Sequence, residues 1–378
     1  MYAASGGHAD IVEWLITKGS DVNLRHSHGG SALFEGATNG TVDVVRNLLQ
    51  ANANPFVVDE DEVSSLMTAA SQGHTEVVEL LLQQKLDVND VAKSGGTALM
   101  FAAGGGFNAT VDALLASGAD VDVVVKGEEE YKTRVAQEVL QGKEGVESHK
   151  DGLTALMLAA QSGHEYVVKA LLAKKASVQG YDEDGMSALT HAIKAKHYAV
   201  ALLLVEAGAN AQDSFIDDSA SPKRAANLLV DAIQDASPEL AVALVKRGAD
   251  ANFVDVAAGG VSVLTLAAYM GQASVVAILL EKDANLSHRN RDGTGPLMAS
   301  AAEGHAEVVA LLLEQKSMHP NDKDEDGTTA LMAASIRGHA KVVKQLLKVR
   351  LYSLTRSLCH IILYFTAREY CSSSHFAI

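Results

Sequence analysis

Along most of this chain, apolar and polar positions follow a short cycle that returns at a fixed interval. Runs such as Glu76-Val77-Val78-Glu79-Leu80-Leu81-Leu82 place their apolar side chains at helical spacing. Each is preceded by a second apolar segment built on small residues. Thr154-Ala155-Leu156-Met157-Leu158-Ala159-Ala160-Gln161-Ser162-Gly163-His164 recurs, with drift, at 97–107, 65–74 and 329–339. A small-residue turn such as Ser117-Gly118-Ala119-Asp120-Val121-Asp122 follows the second helix of each copy. With the second Ala of the pair as marker, copies fall at 4, 37, 70, 103, 160, 193, 233, 268, 301 and 335, with Ile193, Ile233 and Ser335 in place of Ala. The interval is close to 33 residues throughout, except for one of 57 and one of 40. Such a period predicts an all-α stack of helix pairs, each burying its apolar face only against its neighbours.

Local signals punctuate each unit. Thr154 is placed to cap the first helix of its pair. Gly73, Gly163, Gly304 and Gly338 stand where that helix must stop in a left-handed conformation. Asp151-Gly152 and Asp184-Gly185 are turn dipeptides. These motifs resemble the ankyrin repeat family. The resemblance implies an ankyrin-repeat solenoid of helix-turn-helix units with β-turn fingers, about ten repeats, the first truncated. The array spans residues 1–348, with insertions around 125–150 and 213–223. In the first insertion, Lys132 to Leu140 reads either as a short amphipathic helix beside a finger or as a tolerated loop; in the second, Ser221-Pro222 is a phosphorylation candidate. One departure from the family is the Ala and Met in Thr97-Ala98-Leu99-Met100, where the family carries Pro and His. Methionine packing is expected to replace the Thr–His hydrogen bonding.

Both ends depart from the cycle. Met1-Tyr2-Ala3-Ala4-Ser5-Gly6-Gly7-His8 aligns with Met67 to His74, inside a first helix, so the natural chain is expected to begin upstream. The repeat stops at Lys348-Val349-Arg350, and the tail 349–378 is read either as a gene-model artefact, a translated retained intron, or as a capping helix over 351–370.

Composition narrows the function. Hydrophobic residues make up 48% and aromatics only 5%, which suits closely stacked helices cored by Ala, Leu and Val. The formal net charge of −16 opposes binding to nucleic acid or an anionic membrane. Cys359 and Cys371 are the only cysteines, so no disulfides staple the body and a reducing compartment, cytoplasmic or nuclear, is expected; a targeting segment lost upstream stays open. The apolar stretch 358–365 is too short for a bilayer, which needs about 20 residues.

No catalytic, cofactor or metal site is expected, and the chain is read as a non-enzyme. His8, His74, His164, His305 and His339 recur at one repeat position, so neighbours stand about 8–10 Å apart and cannot share a zinc ion. They are read as polar residues fixing the turn into the second helix. Gly104-Gly105-Gly106 lacks the Lys-Ser/Thr ending of a phosphate loop. No arrangement of Ser, Cys and His suggests a nucleophile. Asn23, Asn89 and Asn210 are turn residues; the resemblance implies that such asparagines can be hydroxylated.

The resemblance places partner binding on the concave face, formed by finger tips and the first helices. Fingers here are acidic, with Asp59, Glu60, Asp61 and Glu62, then Asp182, Glu183 and Asp184, then Asp324, Glu325 and Asp326, and a further run at Glu128-Glu129-Glu130 in the long insertion. Tyr181, Tyr269 and Met270 are candidate apolar anchors, and Arg289 and Arg291 are basic exceptions. Two readings of the acidic tips stay open: solvated tips that keep the stack soluble, or a charged edge that steers a basic partner. The function expected is a monomeric scaffold or adaptor that binds a protein partner. The alternative is an interaction segment of a larger protein whose enzymatic, channel or ubiquitin-ligase domain lies beyond a truncated end.

Overall fold

The computed structural model describes residues 1–127, 151–217 and 224–350, with backbone alone at 214–217, 224–226 and 349–350. The acidic run 128–130, the helix expected over 132–140, Ser221-Pro222 and the tail after Arg350 lie outside these residues. Two compact units divide the chain, Met1–Ala249 and Asp250–Ile378.

Among the described residues, the first unit stacks seven helix pairs and the second three. Those of the first are α1 (Tyr2–Ser5) with α2 (Ala9–Thr17), α3 (Ala32–Thr38) with α4 (Val42–Gln50), α5 (Ser65–Ser71) with α6 (Thr75–Leu82), and α7 (Ala98–Gly104) with α8 (Asn108–Ala116). Next come α9 (Ala155–Ser162) with α10 (Glu165–Ala173), α11 (Ala188–Lys194) with α12 (Tyr198–Glu206), and α13 (Leu228–Gln234) with α14 (Pro238–Lys246). Those of the second are α15 (Val263–Tyr269) with α16 (Ala273–Glu281), α17 (Pro296–Glu303) with α18 (Ala306–Leu313), and α19 (Ala330–Ile336) with α20 (Ala340–Arg350). The odd-numbered, inner helices pack on one another and the even-numbered, outer helices do likewise within each unit.

Caps set where the inner helices begin. Ser31, Ser64, Thr97, Thr154, Ser187, Ser262 and Thr329 each accept, through the side-chain oxygen, the backbone N–H three residues on. At α17 the cap is Gly295, and Pro296 opens the helix instead. Because Thr154 Oγ1 satisfies an otherwise orphaned N–H of Met157 at 3.3 Å, Thr154→Ala is expected to cost about 1 kcal/mol of stability, measurable by urea unfolding.

Alanines set the spacing between inner helices. Ala69, Ala70, Ala102, Ala103, Ala159 and Ala160 have no exposed surface, and Leu81, Leu114 and Leu171 of the outer helices are equally buried. Met67, Met100 and Met157 sit in the core at the position expected of them.

The fingers are short antiparallel closures. Single bridges join Arg25 to Ser31, Val58 to Ser64, Val91 to Thr97 and Lys323 to Thr329. The extra residues near 213–223 let one finger grow into a hairpin, β1 (Ser214–Asp217) on β2 (Arg224–Asn227), which the helical reading of the sequence did not foresee. A smaller hairpin pairs β3 (Val254–Asp255) with β4 (Val261–Ser262). The long insertion also leaves from a finger: buried Val125 donates to Leu153 O at 2.8 Å and accepts from Gly152 N at 2.9 Å.

Histidine and glycine lock neighbouring repeats. His74 Nε2 bonds Thr38 O at 3.1 Å, His164 bonds Gly104 O at 3.0 Å, and His305 and His339 bond Tyr269 O and Ala302 O at 2.8 Å. A carbonyl oxygen only accepts, so Nε2 carries the proton in all four. Each ring lies over the stop glycine of the preceding repeat: Gly40, Gly106, Gly271 and Gly304 have positive φ, and a Cβ on any of them would collide with that ring. The histidines therefore do more than shape their own turn.

A candidate partner-binding face

Four fingers are closed by an aspartate or asparagine at one shared position. Asp59 Oδ1 accepts from Asp61 N at 2.9 Å and Val63 N at 2.8 Å, and Asp182 Oδ1 accepts from Asp184 N at 3.0 Å and Met186 N at 2.8 Å. Asp324 Oδ1 accepts from Thr328 N at 2.7 Å, and Asn290 serves the same purpose for Asp292 and Thr294. Burial pushes the Asp59 carboxyl above the usual carboxylate range, against the two N–H donors that lower it. Asp182 is buried, and its Oδ2 pairs with Nε2 of His191 on α11 at 2.8 Å. The three acidic clusters thus split by role. Asp59, Asp182 and Asp324 hold their own fingers, while Glu60, Glu62, Glu183, Asp184, Glu325 and Asp326 are exposed at the tips, with Asp61 partly so.

Backbone bonds fix the spacing of neighbouring tips. Glu60 N donates to His28 O, Lys93 N to Asp61 O, Glu183 N to Asp151 O and Glu325 N to Asp292 O, all within 2.9–3.2 Å. Asn23 Oδ1 and Asn89 Oδ1 accept from Asn54 N and Asp120 N of the next repeat at 2.7 Å. Asn210 instead bonds within its own repeat, donating through Nδ2 to Asp213 Oδ1 at 2.6 Å.

The other sequence candidates divide similarly. Arg289 pairs with Asp322 and donates to Leu286 O and His288 O, so it belongs to its finger, whereas Arg291 is exposed. Tyr181 is exposed, and its hydroxyl donates to Asp213 Oδ1 at 2.9 Å. Tyr269 and Met270 are exposed at the end of α15.

In the second unit the inner-helix face opens into a cleft of about 490 Å³. Leu266, Tyr269, Met298, Ala302 and Ile336 form its apolar surface, and Asp324 and an ion-paired Glu303 and Arg337 stand on its walls. Ile336 is 67% exposed and Tyr269 51%, and both line this one cleft, so their apolar surface gathers in a single patch. Tyr269, Ala302 and Ile336 share one repeat position, two residues before the turn glycine. In the first unit that position holds Thr38, Ser71, Gly104, Gln161, Lys194 and Gln234. This column was readable in the sequence as a position where polar and small residues give way to Tyr269 and Ile336, with Ala302 between them. It brings Tyr269 together with Asp324, and adds Leu266, Met298 and Ile336.

The fold and this face define a repeat protein that presents an extended surface. No group of His, Cys, Asp or Glu suited to a metal ion occurs among the described residues, and no helix among them is long and apolar enough to cross a membrane. The family model "Ankyrin repeats (3 copies)" matches residues 1–59, 33–125, 128–214, 229–324 and 264–355. The chain belongs to the ankyrin repeat family. Ankyrin repeats are generally protein–protein interaction modules, and the family is typically non-enzymatic. No curated protein matches the chain.

Proposed function

We propose that this chain is a non-catalytic scaffold or adaptor that binds a protein partner on its concave face and finger tips. The apolar cleft of the second unit carries this reading, because Tyr269 and Ile336 hold large apolar surface in water there, beside Leu266 and Met298. Covering such a side chain contributes about 1.5–3 kcal/mol. Affinity capture on the full chain, followed by direct measurement with each recovered protein, tests the reading. Ile336→Glu should weaken binding by at least tenfold without changing the thermal midpoint. Unchanged affinity for every recovered partner would contradict it.

The exposed acids contribute differently. Exposed ion pairs are individually worth about 0–1 kcal/mol, so the tips act on encounter rate more than on affinity. Neutralising Glu60, Glu62, Glu183, Glu325 and Asp326 should slow association several-fold at low salt and leave dissociation little altered. Stopped-flow rates that do not respond would remove the steering role. The chain is proposed to act as a monomer, in the cytoplasm or nucleus, in keeping with an array that lacks cysteine before position 359.

A further inference from the structure

The fingers at Asp182 and Asp324 close in the same way. Asp182 N donates to Met186 O and Asp324 N to Thr328 O, both at 3.0 Å, and Oδ1 of each aspartate accepts the returning N–H. Nine residues further on, the inner helix faces the second carboxylate oxygen. In the first unit this residue is His191, whose Nε2 lies 2.8 Å from Asp182 Oδ2. In the second unit it is Ala333, and Asp324 Oδ2 has no hydrogen-bond partner among the described residues. The preceding finger repeats the substitution, with Asn290 nine residues before Ala299. Asp324, Ala333, Asn290 and Ala299 all line the cleft, so it lies on the side of the finger that the imidazole occupies in the first unit.

The remaining charges around the cleft favour a cation. Glu303 and Arg337 neutralise each other, and Arg289 is committed to Asp322. Exposed Asp292, Glu325 and Asp326 stand on the neighbouring tips, with Arg291 and Lys323 as the exposed cations beside them. The floor is apolar, which lowers the local dielectric and strengthens a charge-assisted bond to Asp324.

We propose that the cleft takes an Arg or Lys side chain from a linear segment of a protein partner, beside an aliphatic or aromatic residue seated on Leu266, Met298 and Ile336. The partner's cation occupies on Asp324 the place that His191 holds on Asp182. This rests on the concave-face reading above and adds the chemistry of the ligand.

Random 12-residue peptides displayed on phage and selected on the full chain, then remade with a fluorescent label, supply the probes. Asp324→Asn removes the charge and keeps the Oδ1 that closes the finger, as Asn290 does naturally. Ala333→His installs the internal partner and fills the cleft. Selected peptides should pair Arg or Lys with Leu, Ile, Phe or Tyr, and both variants should weaken them at least tenfold while circular dichroism and thermal midpoint match the parent. Peptides that lose affinity with Ile336→Glu but not with Asp324→Asn would overturn the cation proposal and leave the concave-face reading standing. Peptides indifferent to all three variants, or no enrichment at all, would overturn both.

Discussion

Gly271→Ala is expected to destabilise the second unit by about 1–2.5 kcal/mol, although it adds a single methyl group at the surface of a turn. Two costs combine. Gly271 has φ +71°, a left-handed conformation that costs an L-residue about 1–2 kcal/mol. The new Cβ would also lie 2.5 Å from Nδ1 of the His305 ring. The ring must move, and its bond to Tyr269 O, worth about 1 kcal/mol, weakens or breaks. Loss of glycine's freedom in the unfolded chain offsets only about 0.4–1 kcal/mol. His305→Ala removes the obstacle, so the double variant should be more stable than the sum of the two single costs predicts, by about 1–2 kcal/mol. Denaturant unfolding of the four proteins in the cycle measures this. Strict additivity would show that histidine and glycine do not act as one lock.

Asp182→Ala should cost about 3–5 kcal/mol, the largest effect expected of any finger residue. It removes the acceptor for two backbone N–H groups and leaves the buried His191 without its carboxylate partner. Asp324→Asn should cost under about 1 kcal/mol, since the amide oxygen still closes the turn and no buried partner is stranded. Thermal or urea unfolding separates the two. Equal costs would mean that neither the finger-closing acceptor nor the His191 pair contributes to the Asp182 finger.

That contrast shows how far the sequence could be read. The 33-residue period, the capping Ser and Thr residues and the stop glycines are local signals with one structural solution each, and the helix pairs follow from them. An acidic tip has no such uniqueness. Asp182-Glu183-Asp184 and Asp324-Glu325-Asp326 look alike as text, and only the residue nine positions on, His191 or Ala333, decides whether the first aspartate is spent internally. Arg289 likewise reads as an exposed cation until Asp322 is seen beside it. The histidines were placed at the right turn, but their bond to the preceding repeat spans more than 30 residues of chain and emerges only when the repeats are stacked. The hairpin β1–β2 was missed because an insertion of polar and small residues carries little strand pattern until the finger on either side pins its ends.

Hydrogen exchange of the full chain, with and without one of the selected peptides, tests the account most directly. Protection concentrated in α15, α17 and α19 and in the fingers before α17 and α19, with outer helices α16 and α18 unchanged, is the predicted result. Protection confined to the outer helices, at peptide concentrations that saturate binding, would contradict the assignment of partner binding to the concave face.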